Sequence, residues 1–202
     1  MKPVIFMVVL TTASVGLLGC SSITVQEYVA NTPTLIPKTF FNGRLCADGI
    51  VKDYRGRVTR HFNARILASW DSAGIGTLDE VFQFADRHLG DYEKRIWTLV
   101  PDRDGAYMAT ANDVVEPARM TFAGNSLHMN YLLNYGADDD QITLRMDDWM
   151  FLVNEKTIVN ETRMSKWGLT LGHVLLTIRK AHPADLCLAG GSAAAATERV
   201  SM

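Results

Sequence analysis

From Thr39 to Lys180 the chain is built of short segments rich in Phe, Val, Ile, Tyr, Trp and Thr, punctuated by Gly and Asp clusters. That rhythm predicts antiparallel strands rather than helices, because no long segment carries a convincing period of 3.6. The predicted strands are 39–52, 57–70, 77–87, 92–100, 105–112, 118–123, 126–136, 141–153, 156–166 and 169–180. Turn chemistry sits between them at Tyr54-Arg55-Gly56, Asp71 to Gly76, Asp102 to Gly105, Gly124-Asn125 and Gly136 to Asp140, where Gly supplies positive φ and Asp accepts local backbone bonds.

Alternation within these segments assigns faces, since successive strand side chains point to opposite sides of a sheet. In the second segment Val58, Phe62, Ala64, Ile66, Ala68 and Trp70 share one face, opposite Thr59, His61, Asn63 and Arg65. In the seventh, Leu127, Met129, Tyr131, Leu133 and Tyr135 oppose His128, Asn130 and Asn134. So many consecutive strands would leave long exposed edges in an open sheet, and closure removes them. The expected fold class is therefore all-β: an antiparallel meander closed into a lipocalin-like (calycin) β-barrel with few short helices. A two-sheet sandwich is the alternative.

The ends of the chain read differently. Residues 1–19 carry Lys2, an apolar run and Leu17-Leu18-Gly19-Cys20, which resembles the lipobox of a bacterial lipoprotein signal peptide. In that resemblance cleavage after Gly19 leaves Cys20 as the lipid-bearing first residue. An uncleaved span from Pro3 to Gly19 is short of the roughly 20 residues that cross the hydrocarbon core, and plain secretory cleavage is the other alternative. Residues 20–38 read as a lipidated N-terminus and tether, 39–181 as the barrel, and the Ala- and Gly-rich 182–202 as a disordered tail. Because Ser21 is not Asp, the expected location is the cell envelope, as an outer-membrane lipoprotein facing the periplasm.

Loss of Lys2 from 20 basic residues leaves 19 against 22 acidic ones, near −3, with no basic stripe. Nucleic acid is excluded as a partner on that ground, and membrane attachment rests on the lipid. Cys46 and Cys187 could pair in an oxidising periplasm or remain free thiols; their spacing leaves both open.

Familiar catalytic signatures are absent from the sequence: no Gly-x-Ser-x-Gly, no Gly-rich phosphate loop, no Cys-x-x-Cys, no His-Glu-x-x-His. The five His are scattered, none at metal-ligand spacing, so no metal, cofactor or catalytic residue is assigned. The informative positions are charges on apolar faces. Glu80 shares parity with Leu78, Phe82 and Phe84; Asp148 with Leu144, Met146, Met150 and Leu152; Arg95 with Trp97 and Leu99. Ions inside a barrel persist when paired, so Arg95 is expected to meet Glu80 or Asp148. Such ions either lock strand register or greet the head of an amphipathic ligand, with Trp97, Trp149 and Tyr131 as candidate wall. Asp147 and Asp148 point to opposite faces and cannot act as a dyad.

Phe41-Asn42-Gly43, Gly76-Thr77-Leu78-Asp79-Glu80-x-Phe82, Arg95-x-Trp97, Asp113-Val114-Val115, Gly124-Asn125, Tyr131-x-Leu133, Asp147-Asp148-Trp149-Met150 and Met164-Ser165-Lys166-Trp167-Gly168 together resemble a family of proteobacterial lipoproteins classed as a domain of unknown function. The chain departs from it at Asp86-Arg87-His88 and Glu116-Pro117, both in loops. The resemblance implies a lipid-anchored, lipocalin-like domain without an established activity. The expected function is a periplasmic-face barrel that binds a hydrophobic or amphipathic ligand such as a fatty acid or phospholipid derivative. Cys20 would be its membrane attachment, Arg95 its head-group anchor and Glu80 or Asp148 the ion-pair partner. The alternatives are a lipid-modifying enzyme using Asp148 or Glu80 for proton transfer, and a ligand-free structural lipoprotein that binds an envelope protein.

Overall fold

Ten alternating segments form ten antiparallel strands in the computed structural model, which describes residues 22–136 and 140–188. They are β1 (Gly43–Asp53), β2 (Val58–Trp70), β3 (Gly76–Phe84), β4 (Glu93–Pro101), β5 (Tyr107–Thr110), β6 (Ala118–Ala123), β7 (Ser126–Tyr135), β8 (Ile142–Asn154), β9 (Thr157–Lys166) and β10 (Leu169–Lys180). Each pairs with its sequence neighbour, and β1 pairs with β10, so the meander closes into a barrel and no edge strand is left. Helical structure among the described residues is limited to the four-residue α1 (Pro37–Phe40) and short 3₁₀ turns. The all-β, closed-barrel expectation holds, and the sandwich alternative is set aside.

The observed first strand starts at Gly43 rather than Thr39, because Pro37 opens a helical turn and Thr39, Phe40 and Phe41 close it with bonds back to Ile36 and Pro37. Turns follow the expected chemistry. Asp53 Oδ1 accepts from the amides of Arg55 and Arg57, each at 2.9 Å, and Asp71 Oδ1 accepts from Ile75 N at 2.8 Å.

Inner faces alternate as the pattern requires. Leu45, Ala47, Ala64, Ile66, Ala68, Leu78, Trp97, Leu99, Leu127, Met129, Leu144 and Ile158 join one buried cluster. Gly49 lies where a Cβ would collide with the Phe62 ring and Leu176, so the missing side chain lets both pack closely against β1.

The two ends of the barrel differ. At the end where β1 begins, residues 35–41 cross from the β6–β7 turn, held by Leu35 N donating to Gly124 O at 2.8 Å. Leu35, Phe40 and Phe41 are buried there in the core cluster. Lys180 Nζ donates to the carbonyls of Thr39 (3.1 Å) and Asn42 (3.0 Å), capping the same segment. The residues before β1, expected as a tether, are thus packed against the barrel: Val25 is buried and the 3₁₀ turn Val25–Tyr28 contacts β6 and β7. On the other side of the expected tail boundary, Cys187 forms a disulfide with Cys46 and Asp185 pairs with Arg179, so residues 182–188 lie on the barrel. The expected signal peptide and Cys20 lie outside the described residues, as does the remainder of the expected tail, 189–202.

Candidate functional site

Strand register brings the interior charges together. The ladder Ile66↔Glu80↔Arg95 runs across β2, β3 and β4 and sets Glu80 and Arg95 side by side on the inner face. One step toward the closed end, Leu78 pairs with Trp97, whose ring meets that of Tyr131 edge to face at 5.4 Å. Trp97 and Tyr131, both buried, floor the half of the barrel that opens away from residues 35–41.

Arg95 does not take Glu80 or Asp148 as its hydrogen-bonded partner. Its Nε donates to both carboxylate oxygens of Asp113 at 3.0 and 2.9 Å, and Nη2 donates to Oδ2 at 2.7 Å. Asp113 sits in the β5–β6 loop, which is pinned over the interior because Asn134 N donates to Asp113 O at 2.8 Å and Val115 N to Leu132 O at 2.9 Å. A loop residue outside any alternating segment therefore supplies the counter-charge, and face parity alone could not find it. Its only sequence signal was the Asp113-Val114-Val115 motif of the family resemblance. The Arg95 side chain keeps 23 % of its surface exposed, and its Nη1 makes no hydrogen bond among the described residues.

The electrostatics follow from this crowding. Burial pushes the Glu80 carboxyl up to about 7, with Arg95 pulling against it and Asp148 and Asp113 adding to the rise. Burial also opposes the charge on Arg95, but Tyr131, Asp113 and Glu80 outweigh it and hold the guanidinium protonated. Asp148, only 5 % exposed, is likewise raised by burial, offset in part by hydrogen bonds from Asn160, Thr162 and Tyr131. The Asn160 amide also donates to Trp149 O at 2.9 Å, and Tyr131 Oη reaches Asp148 Oδ2 at 3.4 Å. Asp148 is thus enclosed by its own network, while Glu80 and Arg95 face the open half.

Trp149 is a correction to the proposed wall. Its neighbour Asp148 points inward opposite Met129 and Thr162, so Trp149 points out. There it stacks on His128 at 4.3 Å and Phe151 at 5.9 Å and meets Tyr28 edge-on. Asp147, on that outer face, accepts from His128 and Arg163 at 2.7 Å each, which confirms that the two acids part company. Trp70 faces inward at the closed end beside Tyr107, and Trp167 stands on the open rim.

Arg60 lies on the inner face with Phe62, two positions along the same strand. Its guanidinium carbon lies 3.6 Å from the centre of the Phe84 ring, and it bonds to Asp86 at 3.0 Å. Phe82, Phe84, Val174 and Leu176 line this half of the interior and are only half-buried. A hollow of about 600 Å³ opens on the β1–β2–β9–β10 wall, where Gly49, Phe62, Asn160 and Leu176 contribute from inside; it does not reach Glu80, Arg95 or Asp148. Among the described residues no group of three His, Cys, Asp or Glu side chains converges as it would around a metal ion.

The chain belongs to the family described as "Protein of unknown function (DUF3833)", whose model matches residues 14–180. That match bears out the family resemblance, and the closed antiparallel barrel is consistent with the lipocalin-like fold it implied. No curated protein matches the chain.

Proposed function

We propose that this barrel binds a small amphipathic molecule, such as a fatty acid or phospholipid derivative, through its open end, and that the protein is held at the periplasmic face of the outer membrane by a lipid on Cys20. The single observation that carries the ligand reading is the asymmetry of the interior. One half is covered by Leu35, Phe40 and Phe41 and holds no interior ion among the described residues, whereas the other carries the Glu80, Arg95 and Asp113 cluster beside half-buried Phe82, Phe84, Val174 and Leu176.

In this reading the acyl part lies against those apolar residues. The polar end takes a hydrogen bond from the free Nη1 edge of Arg95, and Glu80 adds a second while it carries a proton. Asp113 neutralises Arg95, so the guanidinium acts as a positioned donor more than as a free positive charge. An acidic head would accordingly bind better below neutral pH than above it, since deprotonated Glu80 repels it. The Cys20 lipid rests on the lipobox-like residues Leu17 to Cys20.

The test is capture of a fluorescent fatty acid by the full chain. Arg95→Ala should abolish capture while circular dichroism stays native, and Trp149→Ala, on the outer face, should leave capture unchanged. A wild-type protein that purifies without lipid and rejects the probe would overturn the carrier reading in favour of a structural lipoprotein. Attachment is checked separately: Cys20→Ser should prevent incorporation of radiolabelled palmitate and move the protein out of the membrane fraction.

A further inference from the structure

The end of the barrel that carries the opening is also where the exposed aromatic residues collect. Among the described residues four exposed large side chains are aromatic, Tyr54, Tyr92, Tyr135 and Trp167. All four lie at the open end, at or beside the β1–β2, β3–β4, β7–β8 and β9–β10 connections. At the closed end the exposed large apolar residues are aliphatic, such as Val29, Ile36 and Val153.

Two of the open-end tips are neighbours, because β1 pairs with β10. The β9–β10 turn is Trp167-Gly168, with φ of 51° and 81°. A two-residue turn of this kind prefers Asn, Asp or Gly at its first position, and a bulky ring at positive φ is an outlier. Trp167 nevertheless stands there 88 % exposed, followed by exposed Leu169 and Leu171. On the β1–β2 tip Tyr54 is 64 % exposed. Each ring is accompanied by a cation: Lys166 Nζ lies 4.8 Å from the Trp167 ring centre and the Arg55 guanidinium 5.1 Å from that of Tyr54. Beside Trp167 a hollow of about 540 Å³ is lined by Ile142, Arg145, Ser165 and Lys166 among others.

Acidic residues gather on a different part of the rim, where Asp86, Asp91 and Glu93 surround the β3–β4 loop. The rim is thus uneven: the adjacent β1–β2 and β9–β10 tips carry Trp, Tyr and Leu with Arg55, Arg57 and Lys166 against the single carboxylate of Asp53, whereas Asp86, Asp91 and Glu93 at the β3–β4 loop are paired with Arg60 and Arg87. Trp and Tyr favour the headgroup level of a bilayer, long basic side chains snorkel to phosphates, and anionic lipid attracts nearby Lys and Arg. The geometry points to the β1–β2 and β9–β10 tips, where cations outnumber carboxylates beside exposed rings, as a docking surface for an anionic phospholipid bilayer. This goes beyond the ligand reading and stands even if the barrel carries nothing.

The experiment uses the full chain with vesicles of phosphatidylethanolamine and phosphatidylglycerol whose acyl chains carry bromine. The difference spectrum between wild type and Trp167→Phe isolates the emission of Trp167. On docking, that component shifts to shorter wavelength, is quenched by the brominated chains and loses its access to aqueous iodide. Arg55→Gln and Lys166→Gln, both on exposed tips, each lower the ratio of docked to undocked protein roughly fivefold, with native circular dichroism as the control for folding. A Trp167 component that stays as red and as iodide-accessible with vesicles as without overturns the proposal and leaves the rim to a protein partner. Equal quenching in purely zwitterionic phosphatidylcholine vesicles overturns its electrostatic half. Neither result bears on fatty-acid capture, so the two proposals fail separately.

Discussion

The closed and open halves of this barrel are built from the same alternating strands but are finished differently. In the closed half the chain before β1 folds back across the barrel end, and Leu35, Phe40 and Phe41 join the buried core, with Trp70 and Tyr107 packed against it. In the open half the β5–β6 loop brings Asp113 over the interior, Phe82 and Phe84 stay half-buried, and Glu80, Arg95 and Asp113 face inward among them. Burial stabilises a fold in proportion to the apolar area removed from water, so the closed half should carry most of the stability. The open half is then free to keep charged groups that cost stability, which is the usual condition of a site.

The largest expected effect lies at the closed end. Phe41→Ala should cost about 3–5 kcal/mol in chemical denaturation, whereas Phe84→Ala at the open end, where the ring is half-buried under Arg60, should cost about 1 kcal/mol. Equal losses would erase the distinction between the halves. Next comes the clamp between Cys46 and Cys187. Cys187→Ser should lower stability by roughly 2–4 kcal/mol without changing capture of a fatty acid, since the clamp lies outside the open half.

A smaller effect depends on pH and has a definite sign. Glu80 is raised by burial from its unfolded value of 4.5 to about 7, so the native state holds a proton that the unfolded state has released between those values. Stability from this group is complete below about 4.5 and declines as pH rises toward 7. Glu80→Gln should therefore flatten the stability profile over that window and raise stability at pH 8 by about 1–3 kcal/mol, measured as the denaturation midpoint against pH. An unaltered profile would place the carboxyl in ordinary solvent. The smallest expected change is Tyr135→Phe on the rim, where only a 3.4 Å bond from Arg60 is lost; the cost should stay below about 0.5 kcal/mol.

Much of the fold was legible because closure needs only alternation and short turns. The ten strands were readable from period-2 patterning, and Glu80, Arg95 and Asp148 were readable as inward charges because parity survives wherever no bulge intervenes. Trp149 was misplaced as wall although the same parity, applied to its neighbour Asp148, already puts it outside. The same rule puts Arg60 on the inner face, two residues before Phe62.

What the sequence by itself determined is the all-β barrel and which residues look inward, since both follow from local alternation. Tertiary structure alone decided that Asp113, not Glu80, holds Arg95, because that pairing depends on where a loop lands after the barrel has closed. It also decided which end is sealed. Residues 35–41 carry no strand period, and their position across the barrel is set by contacts with Gly124 and Lys180, which lie far away in the chain. Periodicity reports the face of a strand; it holds no information about which distant residues the closing of the barrel brings together.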